Sequence, residues 1–266
     1  MKVGLIQQQV IGGDLEGNRE RASAGISKAA DKQVDLIVLP ELFRVGYFAA
    51  DQFEAAAEGL QGPTLTWLAD RAATTETAIL AGSIVEDLEQ TAERTPAETG
   101  YANTSVLFDA EGNRVAIYRK HHLFGYESKG RAFFTPGERL AVAEIENHRV
   151  GITTCYDLRF PELYRKLVDR GVTVFLVPSA WPYPRVEHWR TLTRARAIEN
   201  LAYVVAVNGV GPAGGDGLIG RSRVIDPWGM TVGAAGSTSD HFVATIESER
   251  VTRIREDFPA LRDRRR

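Results

Sequence analysis

The sequence has one cysteine, Cys155, among 266 residues. That excludes an internal disulfide and any zinc cluster built from several thiolates, and it makes a reducing, cytosolic setting the default expectation. No stretch approaches the ~20 apolar residues needed to cross a bilayer. The opening MKVGLIQQQV turns polar too soon for a secretory h-region, so no signal peptide is expected. Basic charge is not in surplus: 32 Lys and Arg stand against 35 Asp and Glu, a net charge of −3. With both signs interspersed, no broad basic face for nucleic acid is expected, and the run from Arg262 to Arg266 reads as a solvated tail. Neither HExxH nor another cluster at metal-ligand spacing occurs. The glycine-rich GPAGGDGLIG at 211–220 lacks the GK[ST] ending of a phosphate loop and reads as a surface loop.

What is present is an ordinary globular composition, 44% apolar and 25% charged. At this length one domain over residues 1–266 is expected, burying roughly 70–75% of its unfolded surface. Val3 to Gln8 and Val34 to Leu39 (VDLIVL) read as buried strands, with an alanine-rich helix from Asp14 to about Asp31 between them. Pro63 suits a first helical position, and Ala78 to Val85 (AILAGSIV) reads as one further strand. The polar stretch Glu86 to Gly100 reads as an exposed loop, and DAEGN between Ser105–Asp109 and Arg114–Arg119 as a hairpin turn. The second half repeats the rhythm. A strand at Val150 to Thr154 is followed by a helix from Pro161 to Arg170 and a strand at Val172 to Val177. Then come a helix at Glu187 to Asn200, a strand at Tyr203 to Val207, and Ser222–Ile225 and Phe242–Ile246 joined by DPWG. Strands alternating with helices give a layered α/β architecture. The phrases VDLIVLPELF and VTVFLVPSAW match in kind, as two related halves or as two similar buried strands.

Chemistry-bearing residues stand at the ends of these strands. Cys155 follows VGITT and precedes the helix begun by Pro161. A thiol at the carboxyl end of an α/β strand lies where ligands bind, although a buried small hydrophobe reads equally from placement. Glu41 directly follows VDLIVLP; desolvation there would suit it to act as a base, and a first-turn acid complementing a helix dipole is the alternative. Lys120 ends RVAIYRK, Glu127 lies seven residues on, and His121 and His122 read as satisfied or exposed.

Five motifs in order resemble the nitrilase superfamily, the carbon-nitrogen hydrolases: PELF at 40–43, YRKHHLFG at 118–125, FTPG at 134–137, CYDLRFPEL at 155–163 and SRVIDPWG at 222–229. The resemblance implies a four-layer αββα sandwich, assembled as a homodimer or larger homo-oligomer. It also implies a Glu-Lys-Cys triad, here Glu41, Lys120 and Cys155, with Glu127 as a further active-site acid and no metal or cofactor. CYDLRFPEL is similar to the omega-amidase-like branch, and neither a long C-terminal extension nor an ammonia-transferring domain is expected. A stand-alone amidase acting on a small carboxamide is therefore expected, with an omega-amide such as 2-oxoglutaramate as the substrate. N-carbamoyl or nitrile hydrolysis by the same triad, and a non-catalytic binding protein with the same fold, are the alternatives. With Glu41 and Glu127 ionised and Lys120 protonated the pocket carries −2 + 1 = −1, which disfavours a resting thiolate and makes Glu41 a true base. Tyr156 and Arg159 are candidates to hold a substrate carboxylate; an ion pair of Arg159 with Asp157 or Glu162 is the alternative.

Overall fold

The computed structural model describes residues 1–126, 129–212 and 217–265. The first half runs β1 (Lys2–Gln7), α1 (Leu15–Ala30), β2 (Leu36–Val38), α2 (Phe53–Ala56), α3 (Pro63–Thr75), β3 (Ala78–Leu80), β4 (Ile84–Asp87), β5 (Tyr101–Phe108) and β6 (Arg114–Arg119). It continues with α4 (Gly130–Phe133), β7 (Ala141–Ile145), β8 (His148–Ile152), α5 (Pro161–Val168), β9 (Val174–Ser179), α6 (Val186–Asn200) and β10 (Tyr203–Asn208). The last elements are β11 (Val210–Gly211), β12 (Leu218–Ile219), β13 (Arg223–Ile225), β14 (Thr231–Ala234), β15 (Asp240–Thr245) and α7 (Ser248–Asp257).

Two sheets carry the fold. One has the order β15-β1-β2-β3-β5-β4 with β6 also on β5, and the other β14-β13-β10-β9-β8-β7. At the centre of each lie three parallel strands, β1-β2-β3 and β8-β9-β10. Parallel strands covered on both faces need unbroken apolar runs, which LIVL at 36–39 and VFLV at 174–177 supply. Side-chain alternation then sorts the layers. Val3, Leu5, Leu36, Val38 and Leu80 share a core with the second sheet's Ile152, Val174, Leu176 and Val205. Ile6, Ile37 and Ile79 point the other way, against Ala22 and Ile26 of α1 and Leu65 and Leu68 of α3. On the far side of the second sheet, α5 and α6 contribute Leu163, Leu167, Trp189 and Ala197. The result is an αββα sandwich, as the resemblance implied. Each fully buried Leu, Ile or Val contributes ~1.5–3 kcal/mol to it.

Three expectations are corrected. AILAGSIV is two strands, β3 and β4, and Gly82 between them has φ +55°. Glu86 is not in an exposed loop: it ends up fully buried in β4, where both oxygens bind the Arg119 guanidinium at 2.6 Å. DPWG leads from β13 into β14, while β15 crosses to the other sheet and pairs antiparallel with β1. A turn sequence identifies a reversal but not which strand comes next, so this crossover was invisible locally.

Gly82 also lies under the segment that carries Glu41. A Cβ there would meet the Pro40 carbonyl oxygen at 2.1 Å and that of Leu39 at 2.6 Å, both backbone atoms that cannot swing aside. Left-handed strain adds to the collision. Gly82→Ala is expected to destabilise the protein by about 3 kcal/mol or more, read as a melting temperature lower by roughly 6–12 °C. A melting temperature within 2 °C of the parent would contradict this.

Candidate active site

Glu41 is reached by two residues beyond Leu39, whose N–H donates to the Leu80 carbonyl and so extends the β2-β3 ladder. The chain then turns sharply at Leu42, with φ +45°, where the Leu42 N–H donates to the Ser83 hydroxyl at 2.8 Å. Lys120 is the first residue past β6. Its N–H donates to the Asn103 carbonyl and its own carbonyl accepts from Gly137 of the FTPG motif, each at 2.9 Å. Cys155 opens a 3-10 turn, Cys155–Arg159, between β8 and α5, and adopts φ +49°. A non-glycine residue in the left-handed region costs on the order of 1–3 kcal/mol and persists only where the surroundings enforce it.

The three side chains converge. The Lys120 ammonium donates to Glu41 Oε1 at 2.7 Å, and the Asn103 amide donates to the same oxygen at 2.9 Å. Oε2 accepts the Ala180 backbone N–H at 2.9 Å. Ala180 and Leu42 hold the same place in the two matching phrases, the first residue past β9 and the fourth past β2, and the carboxyl ends of those strands meet here. The Cys155 thiol interacts with Glu41 and lines one cavity with it and with Ala180. Lys120 is 1% exposed and lies 5.1 Å from the Tyr47 ring centroid, a cation–π contact.

Electrostatics follow from this packing. Burial pushes the Cys155 thiol well up, and the Glu41 charge adds to that; Lys120 and the Ala180 N–H oppose without reversing it. The thiol is therefore protonated at rest, the direction expected from charge counting. For Lys120 burial acts to lower the ammonium, but the Glu41 carboxylate and the neighbouring thiol outweigh it and hold the group charged.

Tyr156 and Arg159 line the same cavity. Arg159 makes neither ion pair considered from sequence: its guanidinium donates to His188 Nδ1 at 3.1 Å and stacks over the Tyr156 and Trp181 rings. Asp157 is instead taken up by Tyr118, His122 and Thr154. His122 is thus bonded and His121 stacks on Tyr118. Glu127 lies outside the described residues. Among the described residues, no group of three or more His, Cys, Asp or Glu is placed to hold a metal ion.

Sequence reasoning missed Asn103, the Ala180 N–H, Trp181 and Arg185. Arg185 lines the cavity with its guanidinium over the Phe124 and Tyr126 rings. The VPSAW phrase, read as the counterpart of VLPEL, could have pointed to Ala180; Asn103 stands in no motif.

The family profile described as carbon-nitrogen hydrolase matches residues 2–256. The chain belongs to that family. Among relatives of this carbon-nitrogen hydrolase, the 2-oxoglutaramate amidase of Paenarthrobacter nicotinovorans is 37% identical over 246 residues, 91% of this chain and 80% of the relative. A solved structure from Xanthomonas campestris, a CN-hydrolase superfamily protein with an arsenic adduct in its active site, superposes with a TM-score of 0.89 at 32% identity. It covers 100% of this chain and 97% of that one. A glutamate-to-glutamine mutant of the amidase from Nesterenkonia sp. AN1 has a TM-score of 0.80 at 27% identity, covering 100% and 94% of the two chains. It shows covalent addition of the acetamide moiety of fluoroacetamide at its active-site cysteine.

Proposed function

We propose that this hydrolase is an amidase that cleaves a small carboxamide to acid and ammonia, with Cys155 as nucleophile, Glu41 as general base and acid, and Lys120 as oxyanion stabiliser. The observation that carries the reading is a buried carboxylate fixed by three donors that lines one cavity with a protonated thiol. In the first step the Cys155 proton passes to Glu41 as sulfur attacks the carbonyl carbon. The oxyanion is met by Lys120 and the Tyr156 backbone N–H, a donor set whose members are each worth ~3–4 kcal/mol in comparable hydrolases. Collapse expels ammonia carrying the Glu41 proton and leaves a thioester on Cys155. Water then gives a proton to Glu41 and attacks the thioester, and the departing sulfur takes that proton back. Glu127 is assigned, as part of this proposal, to orienting Lys120 and the substrate. The cysteine adduct in the Nesterenkonia amidase supports the nucleophile, and the names of the relatives favour amides over nitriles and N-carbamoyl groups.

The cavity supports an acyl group that carries negative charge. Among the described residues neither Arg159 nor Arg185 meets a carboxylate; Arg185 donates only to the Tyr183 carbonyl, at 3.4 Å. Two guanidiniums at an otherwise apolar wall of Tyr47, Phe124, Tyr156 and Trp181 fit an omega-amide of a dicarboxylate such as 2-oxoglutaramate. In ammonia-release assays kcat/KM for 2-oxoglutaramate is expected to exceed that for neutral pentanamide at least tenfold. Arg159→Gln and Arg185→Gln should each shrink that ratio about tenfold, mainly through KM. A preference for the neutral amide, or a ratio indifferent to both variants, would remove the anionic acyl group from this reading.

The same reading takes the chain as one hydrolase domain over residues 1–266, working in the cytoplasm without cofactor, nucleic acid or membrane partner. Assembly as a homodimer or larger homo-oligomer is supported by exposed apolar side chains that adjoin one another: Trp228 packs on Phe258, and Gly229 abuts Ile198.

A further inference from the structure

One buried carboxylate joins the two segments that carry Lys120 and Cys155. Asp157 is fully buried, and its oxygens take four hydrogen bonds. Oδ1 accepts from the His122 backbone N–H at 3.0 Å and bonds the His122 ring Nδ1 at 2.7 Å. Oδ2 accepts from the Tyr118 hydroxyl at 2.7 Å and from the Thr154 backbone N–H at 2.9 Å. Tyr118 and His122 stand two residues before and two residues after Lys120. Thr154 directly precedes Cys155, and Asp157 returns a bond through its own N–H to the Thr154 carbonyl at 3.0 Å. The His122 ring is held in turn by stacking on Phe160, with centroids 3.7 Å apart.

We propose that Asp157 is a positioning residue that sets the placement of the Cys155 sulfur relative to the Lys120 ammonium, an inference that rests on the amidase reading above. An ionised carboxylate offers about four acceptor sites and no donor, and here each is engaged. Three of the bonds grip the chain on either side of Lys120, through residues at equal spacing, and the fourth grips the peptide next to Cys155. Movement of either segment against the other must break a buried charge-assisted bond, which is expensive where water cannot replace it. The same bonds help to hold Cys155 in its left-handed conformation, which on local energetics alone it would leave. An amide in place of the carboxylate keeps the shape but turns an NH2 toward donors. The clamp then loosens without losing volume.

The test uses Asp157→Asn and, as a lesser cut, Tyr118→Phe in the full-length protein. Three quantities are measured: kcat and KM for an amide that the parent hydrolyses, the melting temperature, and the pH profile of Cys155 alkylation by iodoacetamide. Asp157→Asn is expected to lower kcat about 10²-fold with KM within threefold, since misplacement of about 1 Å has effects of that order. The groups whose charge acts on the thiol are Glu41 and Lys120, and Tyr164 is coupled to it with its hydroxyl held neutral by burial. Burial and the Glu41 charge raise the thiol by more than Lys120 lowers it, so loosening the clamp should move the alkylation midpoint downward. Tyr118→Phe should show both effects in smaller measure, and adding it to Asp157→Asn should cost less than its separate effect. A folded Asp157→Asn protein with kcat within threefold of the parent would overturn the proposal. So would a lowered melting temperature with kcat and the alkylation profile unchanged, which marks a purely structural residue. If Asp157→Asn does not fold, Tyr118→Phe decides: parental kcat and an unshifted profile reject the clamp. Turnover that survives Cys155→Ala would instead bring down the amidase reading itself.

Discussion

Cys155→Ala is expected to abolish amide turnover while leaving the protein folded. On the proposed route the sulfur is the atom that becomes bonded to the acyl carbon, so no neighbouring group substitutes for it. In hydrolases whose nucleophile and base act as a unit, loss of the nucleophile lowers kcat by about 10⁵–10⁶-fold. Stability should change little by comparison. Only a thiol is removed, from a side chain that is 7% exposed at the edge of the core, and alanine meets the same left-handed strain at φ +49° that cysteine meets. The deletion leaves a void of roughly one heavy atom, for which about 1–2 kcal/mol is a reasonable ceiling. Ammonia release from the best amide, followed beside circular dichroism and the melting temperature, separates the two effects. Mass spectrometry of quenched parent enzyme should show an acyl adduct that the variant lacks. Turnover within tenfold of the parent in the variant would leave the thioester route without a foundation.

The contrast between what was readable and what was not has a physical basis. Strands such as LIVL at 36–39 and VFLV at 174–177 are legible because parallel strands buried on both faces admit only apolar side chains, and each ends at a proline. Placement at strand ends marked Lys120 and Cys155, but it left a solvated lysine and a buried small hydrophobe as readings; only the motif resemblance grouped them with Glu41. What was not legible depends on atoms far apart in the chain. Asn103 reaches Glu41 across 62 positions and the Ala180 N–H reaches it across 139. A backbone donor carries no sequence signature at all. Arg159 and Asp157, two residues apart, suggest an ion pair when read locally, yet burial gives the aspartate to Tyr118, His122 and Thr154. Partition of the AILAGSIV run also escaped local reading, since the approach of the Pro40 carbonyl to Gly82 belongs to the tertiary structure. Glu127 is named by motif alone.

Glu41→Gln should separate proton transfer from thiol reactivity. Loss of a general base alone lowers rates typically ~10²–10⁴-fold. On the proposed route Glu41 serves thiol activation, ammonia departure and water attack, so a fall in kcat of about 10³-fold or more is expected. The substitution also leaves the Lys120 ammonium buried without its counter-charge and sets an amide NH2 against existing donors. Breaking such a pair costs about 3–5 kcal/mol, and the melting temperature should drop by roughly 10 °C or more. The thiol moves the opposite way from turnover. Burial is the largest influence raising it and the Glu41 charge adds to that; with the carboxylate gone, Lys120 and the Ala180 N–H still pull it down. The sulfur then ionises at lower pH than in the parent, and iodoacetamide at pH 7 should alkylate the variant at least as fast as the parent. A protein that has lost turnover yet keeps a reactive sulfur is one whose carboxylate moves protons. Turnover within tenfold of the parent would remove Glu41 from the mechanism, and a folded variant with an inert thiol would mean that Glu41 serves chiefly to hold Cys155 in place.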